Sequence, residues 1–230
     1  MFDIGVIGAM DIELKALTEM LSDRETKCIG GIEFNTGTVF GKKVVIAKCG
    51  IGKVFAALAA EAMIIGFAPR LIVNTGVGGA LSKKLRPLDV VIATSLVQYD
   101  MDTSAIGDPK GLISGINKVY FETDGRAREL LTQAALGLGL NACEGKIATG
   151  DKFIAGASAK GEILDSFDAD VCEMEGCAIA QVAYVNQTAV AVVRAISDTA
   201  DESSSMDYME FLPIAAENSA KLTLELIKAY

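Results

Sequence analysis

Short apolar runs alternate along the chain with longer stretches in which apolar residues recur at helical spacing. Apolar runs bounded by Gly or Pro predict buried strands, and helical spacing predicts helices that cover a sheet. The predicted strands are 3–8, 27–29, 33–39, 43–48, 71–75, 89–97, 144–149, 171–173 and 188–196. The predicted helices are 11–21, 52–66, 124–136, 158–167, 175–185 and 207–230. This alternation indicates an α/β protein with a largely parallel or mixed sheet covered on both faces.

No linker, repeat or low-complexity segment interrupts the pattern, so we expect residues 1–230 to form a single domain. Residues 99–120 are the least regular stretch, and we expect them to form an active-site or interface loop. No apolar run approaches the roughly 18–20 residues that span a bilayer. The first residues lack a cationic start and a signal-cleavage pattern. We therefore expect a cytoplasmic protein.

The amino-acid composition excludes several kinds of partner and catalytic site. The net charge of −9 argues against nucleic acid or an anionic membrane as partner, because both repel an acidic surface. The five cysteines form no CxxC pair, and their odd number suits reduced thiols. The chain has no histidine, which removes Ser-His-Asp and Cys-His catalysis and the usual zinc motifs. Proton transfer therefore depends on carboxylates, Lys, Tyr, Cys or water, and we expect no metal.

Acids and glycines follow the predicted strands. In open α/β sheets, ligands bind beyond the carboxyl ends of the strands. The segments at those ends are Gly8 to Glu13, Gly76 to Gly79, Thr149 to Ile154, Glu173 to Gly176, and Arg194 to Asp198. We expect them to meet at one rim of the sheet and to form a ligand site there.

Each of these segments also has a purely structural interpretation. Glu13 could be a first-turn acid favoured by the helix dipole, and Asp198 could be a helix N-cap. Phe153 could be a core aromatic, Gly76–Gly79 a tight turn, and Glu173 with Glu175 a solvated pair. Because all of these segments are expected at the same rim of the sheet, a functional site is favoured over separate structural roles. Gly50-Ile51-Gly52 lacks the third glycine of a dinucleotide fingerprint, because Phe55 stands there, and Gly52-Lys53 does not fit a Walker loop, because Ala47 stands where that loop needs glycine. Both mismatches disfavour a dinucleotide or ATP enzyme.

A set of motifs in order along the chain carries a family resemblance. The motifs are Gly5-x-Ile7-Gly8-Ala9-Met10-x-x-Glu13, Gly50-Ile51-Gly52-Lys53, Asn74-Thr75-Gly76, Gly150-Asp151-x-Phe153-Ile154, Glu173-Met174-Glu175 and Arg194-Ala195-Ile196-Ser197-Asp198. From Gly5 to Phe211 the chain resembles the bacterial 5′-methylthioadenosine/S-adenosylhomocysteine nucleosidases of the purine nucleoside phosphorylase superfamily. The resemblance implies a phosphorylase/hydrolase-like three-layer αβα sandwich with a central mixed sheet, a homodimer, and no cofactor.

The implied activity is hydrolysis of the N-ribosidic bond of 5′-methylthioadenosine and S-adenosylhomocysteine to adenine and the thioribose. It could extend to 5′-deoxyadenosine, and it would serve methionine salvage and purine nucleoside catabolism. Breaking this bond develops positive charge on the sugar and negative charge on the base. The enzyme therefore needs an acid at the purine, a group that holds water at C1′, and a clamp on the ribose.

The resemblance assigns these roles to particular residues. Asp198 would protonate adenine N7, Glu13 would hold and deprotonate the water, and Arg194 would fix Glu13 or the water. The implied substrate contacts are Phe153 stacked on adenine, the Ile154 backbone at its Watson–Crick edge, Glu175 on the ribose hydroxyls, Met174 along the sugar, and Met10, Ile51 and Tyr208 around the 5′-alkylthio group, with Ile106 of the partner subunit. Glu173, Ser197, Val77 and Gly78 complete the expected binding set.

One position departs from the family pattern. Family members usually read Thr-Gly-Ser-Ala-Gly-Gly where this chain has Val77, so a hydroxyl that would help to place water or phosphate is replaced by an isopropyl group. Phosphate needs many donors, and the Glu13 carboxylate would repel it, which disfavours a phosphorylase. Three alternatives stay open: a nucleoside phosphorylase, an aminodeoxyfutalosine-type nucleosidase, and a non-catalytic nucleoside-binding protein.

Overall fold

The computed structural model describes residues 1–230, and its elements follow the predicted alternation. The strands are β1 (Phe2–Gly8), β2 (Ser22–Ile29), β3 (Ile32–Val39), β4 (Lys42–Lys48), β5 (Pro69–Ala80), β6 (Val90–Gln98), β7 (Phe121–Glu122), β8 (Ala142–Thr149), β9 (Val171–Glu173) and β10 (Ala189–Asp198). The helices are α1 (Asp11–Glu19), α2 (Lys53–Phe67), α3 (Gly125–Leu138), α4 (Ala157–Phe167), α5 (Gly176–Val185) and α6 (Ser204–Ala229). Every predicted strand and helix is confirmed within a few residues, apart from the longer β2 and β5, while the two-residue β7 was not predicted.

The strands form one mixed sheet in the order β10-β6-β8-β9-β5-β1-β4-β3-β2, with β7 beside β6. The mixed sheet is therefore confirmed. Strand β10 also pairs with β5, so β5, β10, β6, β8 and β9 close into a ring. The sequence pattern did not indicate this closure, because periodicity marks strands and not their partners.

Strand β5 is longer than predicted and continues through the glycine segment. It lies between β1 and β10 over its first half, and both neighbours run parallel to it. Beyond the end of β1, at Gly79 and Ala80, β5 pairs with β9, which runs antiparallel to it. The tight-turn interpretation of Gly76–Gly79 is therefore wrong. These residues are strand, and they lie where β1 ends and β9 begins.

Helices cover both faces of the sheet, as expected. On one face α2 and α5 pack together over an apolar core that includes Met63 and Ile179. On the other face α1, α3 and α6 pack over a second core that includes Leu17, Leu131 and Leu226. A smaller cluster under α4 supports the ends of β8 and β9. The α6 helix begins at Ser204, three residues before the predicted start.

The turns, the irregular segment and the cysteines complete the description of the fold. Gly30 and Gly31 form the hairpin turn between β2 and β3, and their positive φ angles of 60° and 81° are the conformation that favours glycine there. Residues 99–120 are irregular apart from a short 3₁₀ helix at Ser104–Ile106 and one isolated bridge. All five cysteines are free. None of the helices has the length and apolar character needed to cross a membrane.

Candidate active site

A cavity of about 410 Å³ opens where β1, β5 and β10 end beside β8 and β9. Glu13 and Asp198 line it together with every residue of the expected binding set except Ile106, which was expected from a partner subunit. Arg194 does not. Four further residues line the cavity although no binding role was expected for them, namely Ala9, Gly79, Lys152 and Cys172. Each of them is adjacent in sequence to an expected site residue, and this adjacency could have identified them as cavity-lining residues.

Glu13 is held in the first turn of α1 by backbone groups alone. Its Oε2 accepts the N–H groups of Ala9 at 2.8 Å and Met10 at 2.9 Å, and its Oε1 accepts the N–H of Val77 at 3.2 Å. A Cβ on Gly76 would lie 2.5 Å from Oε1, so any larger residue there would displace the Glu13 carboxylate. The residue is only 4% exposed, which disfavours the interpretation of Glu13 as an ordinary first-turn surface acid.

Burial raises the pKa of the Glu13 carboxyl above its usual range. The positive charge of Arg194 and the three backbone N–H groups oppose that rise without cancelling it. Glu13 is therefore a carboxylate in a fixed orientation whose affinity for a proton exceeds that of an exposed glutamate. These are the properties of a general base.

Asp198 is the last residue of β10, and the N-cap interpretation is wrong because the N-cap of α6 is Ser203. Its Oδ1 accepts the Ala200 N–H at 2.9 Å, and its Oδ2 accepts the Ser197 hydroxyl at 2.9 Å. Burial raises the pKa of this carboxyl, these hydrogen bonds partly lower it, and the negative charge of Asp207 adds to the rise. A raised pKa favours the protonated form of Asp198, which is the form that an acid catalyst needs.

Arg194 is buried behind the cavity, where its guanidinium bonds to the carboxylate of Glu173 and to the side chain of Asn74. It also donates to the backbone carbonyls of Asn74 at 3.3 Å and Val193 at 3.0 Å, and it makes no hydrogen bond to Glu13. Its expected action on the water stays a prediction, but Arg194 does not fix Glu13 by direct contact. The chain supplies backbone N–H groups for that purpose, and Arg194 acts on Glu13 only through its charge.

Glu173 borders the cavity, but the chain itself uses its carboxylate. Oε2 accepts the Arg194 guanidinium together with the N–H groups of Glu175 at 3.0 Å and Gly176 at 2.7 Å, and Oε1 accepts the Thr149 hydroxyl. Its side chain is 2% exposed. The solvated-pair interpretation is wrong, and these contacts indicate that Glu173 supports the site instead of contacting the sugar.

Glu175 differs from Glu173 because its carboxylate is not used to cap α5. Its Oε1 accepts the Gly52 N–H at 2.8 Å, and its Oε2 lies 4.0 Å from the Arg194 guanidinium. Burial and the nearby Glu173 charge raise the pKa of the Glu175 carboxyl to about 7, against the opposing charge of Arg194. Glu175 is therefore a strong acceptor with capacity left for a ligand in the cavity.

The mouth of the cavity is apolar. Phe153 is 45% exposed, so the core-aromatic interpretation is wrong, and its ring meets Tyr208 edge-on with centroids 5.5 Å apart. The Tyr208 hydroxyl donates to the Met10 sulfur at 3.4 Å. Ile51 is 56% exposed on the same rim. The three carboxylates thus lie deep in a pocket whose entrance suits a flat or apolar group.

The raised pKa of Asp198 predicts how the Asp198→Asn substitution changes stability. Below the unfolded-state pKa the carboxyl is protonated in the folded and the unfolded protein, so its burial does not lower the free energy of unfolding. As pH rises through the higher folded-state pKa, the folded protein must ionise a buried group and loses stability. We expect Asp198→Asn to raise the free energy of unfolding at about pH 8 and to leave it unchanged at about pH 3.5. Urea unfolding at both pH values measures this, and an equal effect at both would contradict it.

Comparison with known proteins agrees with this geometry. A family model described as the phosphorylase superfamily matches residues 3–228. A 5′-methylthioadenosine/S-adenosylhomocysteine nucleosidase from Actinobacillus succinogenes is 36% identical over 225 residues, which is 97% of each chain. The crystal structure of the nucleosidase of that name from Neisseria meningitidis, in complex with methylthio-immucillin-A, matches with a TM-score of 0.97 and 36% identity over 100% of both chains.

A futalosine hydrolase from Helicobacter pylori also matches in structure, with a TM-score of 0.95 and 33% identity over 100% of this chain and 98% of that one. These likenesses extend over the whole fold and include the strands that carry the acids. The chain belongs to the phosphorylase superfamily and, within it, to the family of the 5′-methylthioadenosine/S-adenosylhomocysteine nucleosidases.

Proposed function

We propose that this protein hydrolyses the N-ribosidic bond of 5′-methylthioadenosine and S-adenosylhomocysteine, releasing adenine and the thioribose. The observation that carries the proposal is a pair of buried carboxyls with raised pKa, Glu13 and Asp198, which line one cavity. Glu13 serves as the base and Asp198 as the acid. The names of the relatives support this choice of substrates.

Asp198 protonates N7 of the adenine as the bond breaks. Negative charge accumulates on the departing base, so a proton delivered there stabilises the transition state more than the ground state. The Ser197 hydroxyl and the Ala200 N–H fix the carboxyl in one orientation. Burial keeps it protonated in a larger fraction of molecules than an exposed aspartate would be.

Glu13 holds the attacking water and accepts its proton. Val77 brings no hydroxyl to this task, but its backbone N–H binds Glu13 Oε1, so part of the expected serine function is met by the main chain. The remaining lone pairs of Glu13 face the cavity. A buried carboxylate there repels phosphate, which favours hydrolysis over phosphorolysis.

The substrate contacts follow from which groups remain without partners. The backbone N–H and C=O of Ile154 make no hydrogen bond within the chain, although the residue is 4% exposed, so they are available for the adenine edge. Phe153 stacks on the base and Glu175 binds the ribose hydroxyls, with Met174 along the sugar. Met10, Ile51 and Tyr208 enclose the 5′-alkylthio group.

Hydrolysis of a futalosine-type nucleoside is the second candidate, because the Helicobacter pylori futalosine hydrolase shares the fold at 33% identity. Such a nucleoside would use the same acid and ribose clamp and differ at its 5′ substituent. A phosphorylase or a non-catalytic nucleoside-binding protein fits less well, because Glu13 repels phosphate and both carboxyls have the environment that catalysis needs.

We further propose that the protein acts in the cytoplasm as a homodimer, in methionine salvage and purine nucleoside catabolism. One face of α2 supports the dimer, since Val54, Phe55, Leu58 and Ile65 are all more than half exposed. An apolar stripe of this size on an acidic chain suits burial against a second copy. Ile106, which is 82% exposed, would then reach the neighbouring 5′ pocket.

Adenine release in the absence of phosphate tests the proposed reaction. We expect purified protein to release adenine from 5′-methylthioadenosine and S-adenosylhomocysteine in phosphate-free buffer, at a rate that added phosphate leaves unchanged. Chromatography of the products measures this, with a futalosine-type nucleoside and 5′-deoxyadenosine as parallel substrates. A strict need for phosphate identifies a phosphorylase, and binding without any release identifies a non-catalytic protein.

Substitution of the acid tests the mechanism. Asp198→Asn should lower kcat by about 10²–10⁴-fold, because the side chain can no longer donate a proton. The Kd for 5′-methylthioadenosine should change by less than about threefold, since asparagine keeps the shape and the Oδ1 acceptor. Asp165→Asn, at an exposed position on α4, is the matched control. Near wild-type turnover in Asp198→Asn would reject the acid assignment.

A charge on the exposed face of α2 tests the dimer. We expect Leu58→Glu to sediment as a monomer and to raise KM for 5′-methylthioadenosine, because the contribution from the second copy is lost. Leu136→Glu, which changes a 77% exposed leucine on α3, should remain a dimer. Sedimentation velocity and steady-state kinetics provide the two readouts. An unaltered sedimentation coefficient for Leu58→Glu would place the interface elsewhere.

A further inference from the structure

The start of α2 is capped by a residue from a distant loop. Gly52 occupies the N-cap position and has no side chain to accept the free N–H groups of the first turn. Asp151 supplies that acceptor, because its Oδ1 binds the Lys53 N–H at 2.8 Å. Gly52 has a φ of +100°, and a Cβ there would lie 3.0 Å from Asp151 Oδ1. The contact therefore depends on glycine at position 52.

A second acid closes the network around the same lysine. The Lys53 ammonium donates to Asp100 Oδ1 at 2.6 Å and to Gln98 Oε1 at 3.1 Å. The Asp151 N–H donates to Asp100 Oδ2 at 3.0 Å. Lys53 thus binds one carboxylate through its backbone and the other through its side chain. The side chains of Lys53 and Asp100 are 18% and 30% exposed, so the ion pair is partly shielded from water.

This network ends on the carboxylate proposed to clamp the ribose. The Gly52 N–H, which immediately precedes the capped Lys53, donates to Glu175 Oε1 at 2.8 Å. The peptide that carries this N–H is joined at the Gly52 Cα to the peptide whose Lys53 N–H Asp151 binds. Two residues beyond Asp151 along its own loop lies Phe153, the aromatic side chain of the adenine pocket.

We propose that Asp151 is a positioning residue that acts through Gly52 on Glu175. By holding the first turn of α2, it keeps the Gly52 N–H on Glu175 Oε1 and leaves Oε2 directed at the ribose hydroxyls. Because Asp151 also belongs to the loop of Phe153, the network joins the adenine subsite to the ribose subsite as one rigid unit. The inference rests on the proposed function, since it takes the ligand to be a nucleoside with a free ribose hydroxyl.

The test compares two nucleosides, one with both ribose hydroxyls and one with neither. In Asp198→Asn protein, whose expected slow turnover lets binding be measured before much substrate is cleaved, Asp151→Ala should weaken binding of 5′-methylthioadenosine by about three- to thirtyfold, the range expected for losing one cap hydrogen bond. The same change should weaken binding of 2′,3′-dideoxy-5′-methylthioadenosine by less than about twofold, because that ligand has no ribose hydroxyl for the clamp. Asp151→Asn retains an oxygen acceptor for the Lys53 N–H and should restore the affinity. Isothermal calorimetry measures each Kd.

Asp124→Ala is the matched control, since Asp124 caps α3 through the Ala127 N–H at 2.8 Å, far along the chain from the site residues. It should lower Tm to a similar degree as Asp151→Ala and leave both Kd values unchanged. Equal weakening of the two nucleosides, a failure of Asp151→Asn to restore affinity, or the same losses in Asp124→Ala would overturn the inference.

The outcomes also separate this inference from the proposed function. Absence of adenine release from the wild-type protein would reject the hydrolase alone, because the comparison of Kd values needs no turnover. Absence of any binding of 5′-methylthioadenosine by the Asp198→Asn protein would reject both.

Discussion

The buried guanidinium of Arg194 is the interaction on which the site depends. Each carboxylate taken out of water costs several kcal/mol unless charge and hydrogen bonds offset the loss. Arg194 is fully enclosed, pairs directly with Glu173, lies 4.0 Å from Glu175, and acts on Glu13 through its field. One cation placed behind the cavity thus allows three acids to be buried without occupying the space that a substrate needs.

Hydrogen bonding then divides the acids into supporting and reactive groups. Glu173 receives the guanidinium, two backbone N–H groups and the Thr149 hydroxyl, so its capacity as an acceptor is largely used. Glu175 receives only the Gly52 N–H, and Asp198 receives one N–H and one hydroxyl. Glu175 and Asp198 therefore keep acceptor capacity, and burial raises the pKa of both carboxyls, as proton transfer and ligand binding require.

The glycines of β5 allow these acids to approach the sheet. A Cβ at Gly76 would meet Glu13, one at Gly79 would lie 2.8 Å from Asp198 Oδ1, and one at Gly78 would lie 2.6 Å from a Val171 methyl carbon. The strand is thus the floor of the cavity, and its lack of side chains lets base and acid face the same space. A chain without histidine can place acid and base catalysts here because carboxylates are small enough to pack against bare backbone.

The positions of the elements and most of the site residues follow from the order of amino acids along the chain. Hydrophobic periodicity located every long strand and helix, and the residues after the strands included Glu13, Phe153, Glu175 and Asp198, because ends of strands are where loops carry polar groups. Only the tertiary structure decided which groups bond to which. The ring closed by β10 and β5, the pairing of Arg194 with Glu173 instead of Glu13, and the capping of α2 by Asp151 all join segments remote in sequence. Such contacts leave no local pattern, because they depend on strand order and on the depth to which each side chain is buried.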